Sequence, residues 1–236
     1  FSKFSKRYIF LIFSLSFFFI YSFLYNVSGG VFNSPDEAQN YFFIKNYVTN
    51  KSLIYPEPLN EIANNLVHPR STLVINKAIV PVSFLGILLI LGYIGSIIGL
   101  NSVIFVIPLL SALLPILFYY ILKPIFKEKI AFLSALLFYF HPAFIYYSAR
   151  NLLPNVILVD ILVIAVFLLF QLEAVGKKSK ILSYALVILV SFFIFLVLLI
   201  RLSAVVCIVI TLFFVYLYIR KHLSLRQIIL IFVIIV

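Results

Sequence analysis

The sequence predicts an all-α protein: a polytopic transmembrane helical bundle with a long external first loop that carries interfacial helices. Three observations predict it. The chain of 236 residues is 65% hydrophobic and only 11% charged, with a mean hydropathy of +1.22, far above the usual composition of a globular domain. Runs such as "YIFLIFSLSFFFIYSFL" and "ILSYALVILVSFFIFLVLLI" approach the ~20 residues that cross a hydrocarbon core of ~30 Å. Basic clusters fall between such runs rather than along one face of an element. The net charge of +11 therefore reads as membrane orientation, and no nucleic-acid partner is expected.

The first run, about 8 to 25, exceeds the ~7–15 apolar residues of a signal peptide and lacks a small-residue cleavage site, so it reads as a retained span. Further spans are expected at about 103–122, 130–149, 153–172, 181–200 and 203–219, with a partial one from 227. Residues 1–236 read as a single transmembrane module. The chain opens at Phe1 and stops about ten residues into its last apolar run, so a longer protein is expected. Cys207 is the one cysteine, which leaves no disulfide framework and no thiol-rich metal cluster.

Orientation follows from charge. Lys123/Lys127/Lys129, Lys177/Lys178/Lys180 and Arg220/Lys221/Arg226 are separated by pairs of spans, so they share one side. The positive-inside tendency makes that side cytoplasmic, together with Lys3/Lys6/Arg7 and the N-terminus. An odd number of crossings must then lie between 77 and 122. The segment 78–99 carries Pro81 and four glycines, which weaken a regular helix, so it is expected to lie in the interface or re-enter. Two full crossings there would instead put the three later clusters outside. In the favoured arrangement the 26–76 loop is external, and Asp36, Glu37, Arg150 and Arg201 share one membrane face.

Acidic residues are scarce, seven in all, and Asp36, Glu37, Glu57 and Glu61 all fall in that loop. The stretch "SPDEAQNYFFIKNYV" reads as a helix start, with Ser34 as cap, Pro35 in the first turn and the two acids at the positive helix end. Ala38, Tyr41, Phe42, Ile44, Tyr47 and Val48 make one side apolar, suited to a bilayer surface. One reading is a capped interfacial helix and no more. Arg150 and Arg201 each close a span, and each alone reads as a snorkelling anchor. Two at one face opposite an acidic pair look like a cleft for a phosphate beside a carboxylate base. Asp160 lies inside a span, where an ionisable residue is either functional or a buried packing hydrogen bond. His68, beside Arg70 in "HPRSTL", reads as a loop histidine or, with Glu57, Glu61 or the acidic pair, as a site for Mg²⁺ or Mn²⁺.

In order and spacing, these segments resemble the GT-C class of integral-membrane glycosyltransferases, which includes protein O-mannosyltransferases and lipid A aminoarabinose transferases. The resemblance runs over about residues 8–205. It rests on the "SPDEAQNYFFIKNYV" helix after one span, on "HPRS" with the apolar 78–99 segment, and on "YYSARNLLPN". It implies sugar transfer from a polyprenyl-phosphate donor to a lipid, glycan or protein acceptor at the external face. Asp36 would be the catalytic base and Glu37 its neighbour, with Arg150 and Arg201 on the leaving phosphate. Many relatives carry Asp where this chain has Asn155, and "HPP" or "EKP" where it has "HPR". Two rival classes remain: a transporter or flippase, for which a repeated pair of broken helices is the usual pointer, and a non-catalytic subunit with a partner-binding loop.

Overall fold

The computed structural model describes residues 3–27, 32–82, 84–150, 152–175, 179–201 and 226–227. These fall into two compact units, one within Phe1–Leu113 and Tyr139–Ile157, the other within Leu114–Phe138 and Leu158–Val236. The architecture is all-α with one small sheet. Among the described residues, four helices are long and apolar enough to cross a membrane, and a bent pair makes five if it counts as one span. This is a multi-pass membrane protein by length and composition.

In the first unit, α1 (Lys3–Val27) is the first span. It is held through aromatic side chains. Phe17 stacks on Tyr139 at 4.9 Å and meets Phe140 edge-on at 5.2 Å. Ser14 Oγ and Tyr139 Oη lie 2.7 Å apart, and Tyr139 donates to the Ala112 carbonyl at 3.1 Å. Tyrosine is the residue that can supply apolar area and satisfy its own hydroxyl at such a buried position.

Helix α2 (Pro35–Asn50) follows. The sequence places its apolar side on the bilayer; in the fold, Phe43 and Ile44 are fully buried and that side packs on α3 (Leu85–Ile98). Two glycines permit the close approach. A Cβ on Gly92 would stand 2.7 Å from Tyr47 Cδ1, and one on Gly95 would stand 2.7 Å from Val103 Cγ2 and 2.9 Å from Val48 Cγ2.

Between these helices lie β1 (Tyr55–Pro56), β2 (Thr72–Ile75) and β3 (Ala78–Pro81), antiparallel in the order β1-β3-β2. The expected continuous 78–99 segment is thus divided: residues 78–81 are strand, and the helix starts at Leu85. The cause is local. Ile75 pairs with Ala78, and Asn76 and Lys77 both have left-handed backbones (φ 50 and 67), the geometry of a two-residue hairpin turn. Pro81 sits at the strand end, where it removes no interior ladder bond. At ~1.5 Å per residue the 14 residues of α3 reach about 21 Å, short of a ~30 Å core. Among the described residues, seven without glycine's freedom adopt positive φ: Lys51, Asn64, Asn65, Ser71, Asn76, Lys77 and Phe84.

A 3-10 turn (Leu100–Phe105) leads into α4 (Val106–Leu122). The run expected to span 130–149 is two helices, α5 (Glu128–Tyr139) and α6 (Pro142–Ser148), because Pro142 cannot continue the helix and His141 caps the second one, its Nδ1 accepting from Phe144 N at 3.4 Å. α7 (Pro154–Val175) and α8 (Lys180–Ile200) follow the expected limits closely.

In the second unit, α7 and α8 share a core of Ala165, Leu169, Leu172, Leu186, Val187, Val190 and Ile194. Tyr119 there donates to Glu128 at 2.9 Å. The expected spans at 203–219 and beyond 227 lie outside the described residues, as does Cys207.

Candidate functional site at the start of α2

The cap reads as the sequence predicts. Ser34 is extended (φ −130) and its Oγ accepts from Asp36 N at 3.2 Å; Pro35 opens the helix and Ala38 N donates to the Ser34 carbonyl at 3.2 Å. The two acids that follow are neighbours in sequence and differ in every other respect.

Glu37 is committed. Its side chain is 4% exposed and Arg150's is 18% exposed. Arg150 Nε donates to Glu37 Oε1 at 2.9 Å, its Nη2 donates to Oε2, and its Nη1 donates to Tyr146 Oη at 2.6 Å. This is a fork-to-fork pair, the strongest arrangement open to arginine and carboxylate. The hydrogen bonds it donates to Glu37 hold the guanidinium above its ordinary pKa. The Arg150 guanidinium also lies over the Tyr146 ring, 5.4 Å from its centroid.

One helical turn on, Asn40 is fully buried and its Nδ2 donates to the Leu152 carbonyl at 2.7 Å. Glu37 and Asn40, at i and i+3 on one face of α2, therefore hold Arg150 and Leu152, and Leu153 N donates to the Arg150 carbonyl.

Asp36 is half-buried, and its Oδ1 accepts from Ser71 Oγ at 3.0 Å. Ser71 stands in the "HPRST" turn with φ 66. That turn is built from its own side chains. Thr72 Oγ1 donates to the Pro69 carbonyl at 2.6 Å, and His68 Nδ1 lies 3.0 Å from the same carbonyl and 3.1 Å from Thr72 Oγ1. With two partners within reach of Nδ1, the histidine serves as a brace of the turn. Arg70 is exposed beside Ser71.

Ser71 and Asn40 are the residues that sequence reading passed over. Asn40 carried a signal, its i+3 spacing from Glu37; Ser71 carried none. Further polar atoms are buried on these elements. Both amide atoms of Gln39, Asn40 Oδ1 and Ser148 Oγ have no hydrogen-bond partner among the described residues. Such atoms cost roughly 1–3 kcal/mol each, and each one calls for a reason other than packing.

The structure thus brings Glu37 and Arg150 into contact and sets Asp36 on the turn that holds His68 and Arg70. Asn155, half-buried, lies in the first turn of α7. Arg201 and Asp160 belong to the second unit. Arg201 is exposed and extended after α8, its N–H donating to the Val197 carbonyl at 3.0 Å; Asp160 is fully buried in α7. Glu61 pairs with Lys77 at 2.7 Å. Among the described residues, no group of three or more His, Cys, Asp or Glu is gathered to hold a metal ion.

Comparison of the chain with protein-family models, with curated proteins and with solved structures finds no match.

Proposed function

We propose that the protein is a membrane glycosyltransferase that moves a sugar from a polyprenyl-phosphate donor to a hydroxyl or amide acceptor, with Asp36 as general base. The observation that carries this reading is the opposite fate of two adjacent carboxylates. Glu37 is neutralised by a two-point contact with Arg150, whereas Asp36 is half-buried and held through one oxygen by Ser71. One oxygen fixed and one open is what a positioned base requires.

In the proposed step, Asp36 Oδ2 takes the acceptor proton as the acceptor atom bonds to the anomeric carbon. The bond from that carbon to the phosphate oxygen breaks, and its electron pair leaves with the lipid phosphate. A single displacement inverts the anomeric centre. Three of Arg150's five N–H donors are used by Glu37 and Tyr146. Its remaining two are the proposed contacts for the leaving phosphate, whose charge grows in the transition state. The resemblance to GT-C enzymes and the charge distribution support an external site with a cytoplasmic N-terminus. The acceptor is a lipid, glycan or protein, and the donor's prenyl chain would lie among the apolar helices with membrane lipids.

The test is transfer from a panel of radiolabelled polyprenyl-phosphate sugars by the full chain in reconstituted vesicles, wild type beside Asp36→Asn. Transfer that disappears in a folded Asp36→Asn protein is expected. Equal transfer by both removes Asp36 as the base, and no transfer by wild type with any donor favours a transporter or a partner-binding subunit.

A further inference from the structure

The small sheet has an apolar side that no described residue covers. Residues paired directly across antiparallel strands share a face, so the register puts Tyr55, Thr72, Val74, Ile79 and Pro81 on one side and Pro56, Leu73, Ile75, Ala78 and Val80 on the other. The first side is the inner one. Thr72 and Ile79 are buried, and Tyr55 meets Phe42 of α2 edge-on at 5.0 Å. The second side contains no polar residue, yet Leu73 is 51% and Ile75 55% exposed. An antiparallel sheet with one face in water normally alternates apolar and polar residues. "TLVI" and "AIVP" do not.

The turn beside the sheet repeats the pattern. Ile62 is 85% and Leu66 80% exposed, although the loop around them is well built. Buried Asn60 donates to the Val67 carbonyl at 3.1 Å and accepts from Val67 N at 2.9 Å, and Lys77 at the hairpin tip pairs with Glu61. An ordered loop that holds aliphatic side chains outward presents a surface to something apolar.

We infer that this sheet face, formed by Leu73, Ile75 and Val80, together with the exposed Ile62 and Leu66 of the adjoining loop, docks on the lipid bilayer at the level of the headgroups. Continuity with the membrane surface selects lipid as the occupant. β3 ends at Pro81 and α3 starts at Leu85, so the linker spans only about 10–13 Å when extended. α3 carries no charged residue, is too short to cross, and leaves Tyr93, Ile97 and Ile98 exposed, which places it at the boundary of the bilayer. The sheet is tied to that depth. Its ion pair Lys77–Glu61 and Arg70 are groups that headgroups solvate while the aliphatic tips insert. The inference does not depend on the chemistry at Asp36.

The chain contains no tryptophan, so a single introduced one reports its own surroundings. Ile62→Trp and Leu73→Trp, in the full chain, would be reconstituted into phosphatidylcholine vesicles whose acyl chains are brominated either near the headgroup or near the chain end. The expected result at both positions is blue-shifted emission, strong quenching by the shallow bromines, weak quenching by the deep ones, and protection from acrylamide. Emission open to acrylamide and untouched by bromine would overturn the inference. So would emission protected from both quenchers, which would mean that a second copy or another protein segment covers the face. The two positions lie on different elements, so a folding defect in one leaves the other to decide.

Discussion

Arg150→Met tests the pair on which the site's geometry rests. The substitution keeps the unbranched apolar stem of the side chain and removes its charged fork, leaving Glu37 as a carboxylate that is 4% exposed and without its two charge-assisted hydrogen bonds. Removing one partner of a buried pair costs about 3–5 kcal/mol, or roughly a hundredfold to several-thousandfold in the folding equilibrium at ~1.4 kcal/mol per tenfold. Arg150 is only 18% exposed, so solvent screening should discount this little, and the Tyr146 contact is lost as well. Glu37→Gln together with Arg150→Met should recover much of the loss, since two neutral partners leave no buried charge. The expected coupling in the double-mutant cycle is ~2–3 kcal/mol. The assay is unfolding in mixed micelles with increasing dodecyl sulfate, followed by helical circular dichroism. Losses below ~1 kcal/mol in each single variant with no coupling would refute the reasoning, because that is how a solvent-exposed ion pair behaves.

Ser71→Ala removes the 3.0 Å hydrogen bond to Asp36; a bond to a charged group is worth about 1.5–3 kcal/mol, and the loss should appear in the turnover rate more than in apparent donor affinity, measured by transfer kinetics. Gly95→Ala should destabilise by ~1–3 kcal/mol through overpacking, and more than Gly92→Ala, because Gly95 faces two branched valines whereas Gly92 faces the half-buried ring of Tyr47; the same micellar titration ranks them. Lys77 holds the Glu61 carboxyl below its ordinary 4.5 through their hydrogen bond. A depressed folded value means that this contribution is fully present above 4.5 and fades as pH falls through the lower folded value, so hydrogen exchange of the hairpin amides, corrected for intrinsic rates, should rise in that window and flatten in Lys77→Gln.

What could be read from the sequence was what local chemistry decides. Ser34, Pro35 and the paired acids announced the start of α2, and apolar length announced the spans. The break at His141 was written as Pro142 but is invisible to a count of apolar residues. The hairpin was carried by two four-residue apolar runs around Asn76-Lys77, a signal lost beside the much longer apolar stretch that follows. Least legible were long-range partners. Nothing in the chain states that Arg150 meets an acid 113 positions earlier, and a lone arginine at a span end reads equally well as an anchor or a phosphate ligand. The apolar side of α2 was visible, but its destination was set by Gly92 and Gly95, a shape-complementary groove that periodicity does not encode.

The left-handed residues between 51 and 84 bear on how this loop can be handled outside the protein. No glycine stands between Gly30 and Gly86, so Lys51, Ser71, Lys77 and Phe84 each hold a backbone that costs a side-chain-bearing residue roughly 1–2 kcal/mol. For two of them the shape is held from outside the segment: Lys51 by Ser96 and the end of α2, Ser71 by Asp36. A synthetic peptide of residues 51–84 would relax to other conformers, and antibodies raised against it would recognise those conformers and not the native surface. Immunogens and binders for this face need the intact chain or a scaffold that supplies α2 and α3.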